Sequence, residues 1–232
     1  MFLEQGFKSE NKFWKYIVGS IIIIFASFLG QIPLLMALLY ETFVIGKPYP
    51  TNNEAVLRFF EPNLTLFLIL ISFVFSMLGV VFVVRYLHHQ TMLSITTSRD
   101  KVDWGRIRFS FSFWALFTIV STLSFYHYNP NDFEINFKPV PFAILAVIGL
   151  LLIPIQTSSE EYIFRGYLMQ GFGNLAKNKW FPLLMTSLIF GAMHISNPEV
   201  SKLGNIIMVY YIGTGLFLGV ITLMDEGMEL AL

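Results

Sequence analysis

Two adjacent glutamates, Glu160 and Glu161, with Arg165 one turn on, stand directly after an apolar run from Pro141 to Ile155. An ionised side chain at the centre of a bilayer costs about 2.5–3.5 kcal/mol on insertion scales, so three together need a wet cavity, a paired network or the interface. On a helix, Glu161 and Arg165 share a face and can pair, whereas Glu160 is rotated by about 100° and is free to point elsewhere. A carboxylate held by arginine stays ionised and structural, while an unpaired neighbour has the adjustable proton affinity needed of a general base. Taken alone, these residues fit an ordinary interfacial ion pair equally well.

Phe190 and His194 form a second constellation, four residues apart and therefore on one helix face, near the middle of another apolar run. A neutral imidazole there can bind a metal or hold a water, and a purely structural histidine would bond a backbone carbonyl. Asn197, one turn on, is placed to supply a supporting bond. His88 and His89 beside Arg85, and His127, fall at the ends of apolar runs and read as interfacial. Thr157 with Glu160, and Ser158 with Glu161, have capping-box spacing, so Thr157, Ser158 and Ser159 read as helix caps or as partners for carbonyls freed near Pro154. No histidine–acid relay accompanies them as serine nucleophiles.

The elements that must position these groups are membrane helices. At 232 residues, 55% hydrophobic and only 13% charged, the chain is far more apolar than a soluble domain. Its zero net charge gives no support for a nucleic-acid partner, and the absence of cysteine excludes disulfides and thiolate ligands. About six apolar runs are expected to span as helices: Tyr16 to Ile45, Leu64 to Leu87, a short Phe109 to Tyr126, one from Pro141 through the glutamates, Phe181 to Ile195, and Leu203 to Met224. The first carries no cleavage signal and reads as a retained helix. The expected fold is an all-α polytopic bundle in the lipid bilayer.

Lysine and arginine cluster at one set of helix ends: Lys8, Lys12, Lys15, Arg85, Arg99, Lys101, Arg106, Arg108, Arg165, Lys177 and Lys179 against Lys47, Arg58, Lys138 and Lys202. Cytoplasmic loops carry such an excess, so the amino terminus is expected to be cytoplasmic, with Arg85 to Arg108 as a topology-anchoring loop. Gly215 and Gly219 make a GxxxG step suited to close helix packing.

Read together, Glu160-Glu161-x-x-x-Arg165 followed by Phe190-x-x-x-His194 resembles the CPBP (CAAX-protein and bacteriocin-processing, or Abi) family of intramembrane proteases, CAAX prenyl proteases among them. The resemblance implies two parts, helices and a basic loop in 1–140 and a protease core in 141–232. It implies an endopeptidase that hydrolyses membrane-associated or lipidated, CAAX-like proteins or peptides, in a bacterial cytoplasmic membrane. Glu160 would activate water with His194 as partner or metal ligand, Glu161, Arg165, Phe190 and Asn197 would support them, and a divalent metal such as zinc held by His194 and Glu160 would lack a third ligand. The family's third motif, HxxxN or HxxxD, is missing, since no histidine follows His194. Asp225, Glu226 and Glu229 look like the first turn of a further helix, so the chain is expected to be a fragment cut before that motif, with weak or no hydrolysis. The alternative is a non-catalytic scaffold or bacteriocin-immunity protein of the same fold.

Overall fold

Uninterrupted apolar length makes helices here, because inside a bilayer every backbone N–H and C=O needs a partner within its own segment. The computed structural model describes residues 1–8 and 12–232. Its α-helices are α1 Phe13–Phe43, α2 Asn53–Leu57, α3 Pro62–Phe82, α4 Met92–Thr96, α5 Trp104–Tyr128, α6 Pro139–Glu161, α7 Met169–Ala176, α8 Trp180–Met193, α9 Pro198–Leu203 and α10 Ile207–Asp225. Two π turns, Val83–Leu87 and Tyr162–Leu168, prolong α3 and α6. Among the described residues the sole extended pairing is an isolated bridge between Thr97 and Gly227. The chain is a polytopic all-α membrane bundle.

Short polar residues start the helices where the sequence leaves the apolar runs. The Glu61 carboxylate accepts from the Asn63 and Leu64 N–H groups ahead of Pro62, and Asp103 accepts from Gly105 and Arg106. Because Asp103 caps so early, α5 runs for 25 residues and is not the short helix expected from its phenylalanines.

Of the six expected runs, five form helices of spanning length and the sixth is shorter. Phe13–Phe43, Pro62–Leu87, Trp104–Tyr128, Pro139–Ala176 and Ile207–Asp225 are long and apolar enough to cross, whereas α8 has 14 residues. At 1.5 Å per residue α8 reaches about 21 Å, short of a hydrocarbon core of about 30 Å.

Glycine brings the crossing helices together. A Cβ at Gly30 of α1 would meet the Ser72 backbone of α3 at 2.6 Å, and one at Gly215 of α10 would meet the Ser187 Cα of α8 at 3.0 Å. Gly219 packs against Leu183 of α8 and Met169, so both glycines of the GxxxG step serve close packing. Asn63 ties α3 to α6 by donating to the Pro141 carbonyl at 2.9 Å. By contrast α5 buries none of its residues, and Phe111, Phe117 and Leu123 all face outward.

The helix ends collect on two sides. On one, the Phe2 N–H donates to the Glu226 carboxylate, and Arg99 donates to the Asp225 carbonyl at 2.7 Å and to the fully buried Glu229 at 3.1 Å. On the other, Asn53 donates to the Ser196 carbonyl at 3.0 Å and Lys202 meets Glu54 at 3.4 Å. The acidic tail therefore does not open a helix: α10 stops at Asp225, Glu226 is left-handed with φ 57°, and the Met228 N–H donates to the Thr96 carbonyl. Arg99 draws those carboxylates back onto the loop after α4. His88, at the end of its span, is not exposed there. It is fully buried, because the rings of Tyr16 and Tyr167 pack against it at 4.4 and 5.4 Å and the Tyr167 hydroxyl shares a 3.0 Å hydrogen bond with it.

Candidate active site

The helical run that carries the glutamates does not begin at them. Thr157 sits inside α6, where its hydroxyl donates to the Ile153 and Pro154 carbonyls, and Ser159 is buried with no hydrogen-bond partner among the described residues. The cap reading of these hydroxyls is thereby corrected, since the backbone stays helical past Pro154, while bonding to carbonyls near that proline holds for Thr157. Directly after Glu161 the helix widens into the π turn, a distortion that recurs at functional sites.

The two carboxylates separate as their spacing demands. Glu161 is buried and accepts from Arg165 at 2.7 Å, and Arg165, 1% exposed, also donates to the Gly215 carbonyl of α10 at 3.3 Å. The Arg165 guanidinium carbon lies 4.6 Å from the centre of the Phe190 ring, and Phe164 meets Phe190 edge-on at 5.2 Å. Glu161, Arg165 and Phe190 thus form a buried brace joining α6, α8 and α10. The second Glu161 oxygen is buried with no hydrogen-bond partner among the described residues.

Glu160 turns the other way, into a cavity of about 860 Å³. Gln156, one turn earlier, donates to its Oε1 at 2.7 Å. The same cavity is lined by His194 and Asn197, by Ile17, Ile21, Ile24 and Phe28 of α1, and by Phe172. A carboxylate, an imidazole and an amide therefore open onto one apolar space.

His194 is not in mid-helix as its run suggested: it is the residue that closes α8. Its Nδ1 lies 2.7 Å from the Phe190 carbonyl oxygen. A carbonyl only accepts, so Nδ1 carries the proton and, in the neutral ring, Nε2 keeps its lone pair. The ring stacks on Tyr211 at 4.4 Å and 26° and contacts Phe190 at 4.7 Å. Asn197 does not bond the imidazole. Its backbone N–H donates to the His194 carbonyl and its side-chain amide donates to the Tyr211 hydroxyl at 3.3 Å.

Glu160, His194 and Asn197 thus reach one cavity, with Glu161, Arg165 and Phe190 as a brace behind it. Gln156 and Tyr211 were missed in the sequence. Gln156 had a signal, a polar residue at helical spacing from Glu160, whereas Tyr211 comes from α10 and had none.

Zinc hydrolases present three protein ligands and a water. Glu160 and His194 offer two donors, and no group of three His, Cys, Asp or Glu converges among the described residues. The described donors do not make up that set.

Residues 139–231 match the protein family described as type II CAAX prenyl endopeptidase Rce1-like. Over 196 residues the chain is 32% identical to "Uncharacterized protein YyaK" of Bacillus subtilis (strain 168), a stretch covering 84% of this chain and 65% of that protein. The chain thus spans about two-thirds of the length of this relative. No solved structure matches it. The resemblance to CPBP proteases is borne out in the region that carries both motifs.

Proposed function

Starting from a carboxyl-terminal region that is Rce1-like over residues 139–231, we propose that the chain is an intramembrane endopeptidase that hydrolyses membrane-associated or lipidated peptides with water activated by Glu160. The observation that carries this reading is the single cavity onto which Glu160 and His194 open while Glu161 is held apart by Arg165. In this scheme the water sits between the Glu160 carboxylate and His194 Nε2, which accepts one of its hydrogen bonds. Glu160 takes the water's proton as the oxygen attacks the scissile carbonyl carbon, then returns that proton to the leaving amine as the C–N bond breaks. No step is routed through a metal.

The apolar lining contributed by α1 suits the aliphatic part of a CAAX-like lipidated tail, with the scissile bond at the polar end near Glu160. The excess of basic residues at the helix ends that gather around residues 1–8 and 225–232 supports a cytoplasmic amino terminus, in a bacterial cytoplasmic membrane. The division into 1–140 and 141–232 assigns the proteolytic groups to the second part and a cavity wall to the first.

The test is cleavage of a fluorogenic lipidated peptide by the full chain in proteoliposomes. Glu160→Gln and His194→Gln are each expected to lower kcat by at least about a hundredfold. Wild-type rates in both variants would overturn the reading. A wild-type chain that cleaves neither lipidated nor unlipidated peptides, and whose cellular phenotype survives both substitutions, would establish the scaffold alternative instead.

A further inference from the structure

Tyr211 occupies a position that the motifs do not account for. It lies on α10, outside both the EExxxR and FxxxH segments, yet its ring is parallel to within 26° of the His194 ring at a centroid distance of 4.4 Å. Its hydroxyl accepts from the Asn197 side-chain amide at 3.3 Å. His194 ends α8, so beyond Met193 no helical turn holds its ring. Three contacts define the ring instead: the Nδ1–H bond to the Phe190 carbonyl fixes one nitrogen, the Phe190 ring meets it at 4.7 Å, and the Tyr211 face limits rotation about that bond.

We infer that Tyr211, held by Asn197, is a positioning residue that keeps His194 in the Nδ1–H tautomer with Nε2 turned to the cavity. The inference rests on the protease reading only for its kinetic consequence, because the ring geometry exists whatever the chain does. An imidazole free in water favours the opposite tautomer, so a loosened ring presents an N–H donor where a water-holding lone pair is needed. Stacking supplies rigidity without competing for either nitrogen. A hydroxyl or carboxylate in its place would bond one of them. Asn197 completes the arrangement by holding the phenol at its far edge and, through its backbone N–H, the His194 carbonyl.

The direct test is nitrogen NMR of the full chain labelled with ¹⁵N-histidine in detergent micelles at a single pH of about 8. His194→Gln assigns the signal. The wild-type spectrum is expected to show one ring with a protonated Nδ1 and a bare Nε2 at position 194. In Tyr211→Leu that signal should move toward the averaged values of a mobile imidazole, and in Tyr211→Phe, which keeps the stack, it should stay closer to wild type. Peptide cleavage should follow the same order: kcat falling roughly tenfold in Tyr211→Leu with KM little changed, as expected for misplaced catalytic geometry. Phe217→Leu, an exposed aromatic change on the same helix, should leave both readouts unchanged. A wild-type tautomer signal in Tyr211→Leu overturns the inference. Should that variant fail to fold, Asn197→Ala decides, since it keeps the ring and removes its tether: an averaged signal supports the brace, and an unchanged one overturns it. An altered tautomer in a chain that cleaves nothing supports the brace while overturning the protease reading, so the two fail separately.

Discussion

The division of labour between Glu160 and Glu161 is a matter of one residue's rotation on a helix. Arg165 is buried and its Glu161 partner lies 2.7 Å away, so the pair stands or falls together. Arg165→Ala is expected to destabilise the chain by about 3–5 kcal/mol, because it strands a buried carboxylate. A double change of Glu161→Leu with Arg165→Met should recover most of that loss in detergent unfolding, since packed apolar side chains can replace a buried ion pair. If the double variant is no more stable than Arg165→Ala, the brace depends on more than charge pairing. Glu160→Gln, which faces the cavity and can still accept from Gln156, should change stability by less than about 1 kcal/mol. At this scale the pairing was legible because positions four apart on a helix must meet. Tyr211 was not, because nothing local joins α10 to His194.

Among the elements, α8 is informative because it is short. Its 14 residues end at Met193 with His194 as the cap, so the imidazole opens onto the same cavity as Glu160 on the longer run through α6. The apolar pattern alone placed this histidine within a helix, since nothing in an apolar run says where the backbone turns. The helix crossings make a second expectation. At Gly30 an added methyl would meet the Ser72 backbone at 2.6 Å, so Gly30→Ala should push α1 from α3 and cost about 1–3 kcal/mol. At Gly149, where an added Cβ meets nothing closer than the Ile153 methyl at 3.8 Å, the same change should cost less than about 0.5 kcal/mol. Equal unfolding midpoints for the two variants would show that the α1–α3 crossing yields more readily than its backbone contact implies. Because α1 lines the cavity, Gly30→Ala should also weaken use of a lipidated peptide more than of a short unlipidated one.

For the molecule as a whole, the helix ends are joined by contacts between segments far apart in the chain. His88 lies just beyond the span that ends at Leu87 and meets Tyr16 of α1 and Tyr167 of the second π turn. Burial, with the charges of Lys15 and His89 adding to it, lowers the His88 pKa from 6.5 to about 4. The folded chain therefore holds this ring neutral while the unfolded chain protonates it near pH 6.5, so the contribution is complete above that value. It declines as pH falls toward 4, costing about 2 kcal/mol by pH 5. Unfolding in micelles should show this loss between pH 7.5 and 5, and His88→Gln should flatten it; an equally steep profile in that variant would assign the effect to other groups. The sequence by itself determined the all-α membrane class, the two motif segments and the separation of Glu160 from Glu161, because apolar length and helical spacing are local properties. Only the tertiary structure decided that α8 stops at His194, that Asn197 reaches Tyr211, that His88 is buried, and that the acidic tail folds back onto Arg99. Each of these depends on which surfaces meet across helices remote in sequence, where charge and ring contacts outweigh the local preference of the segment.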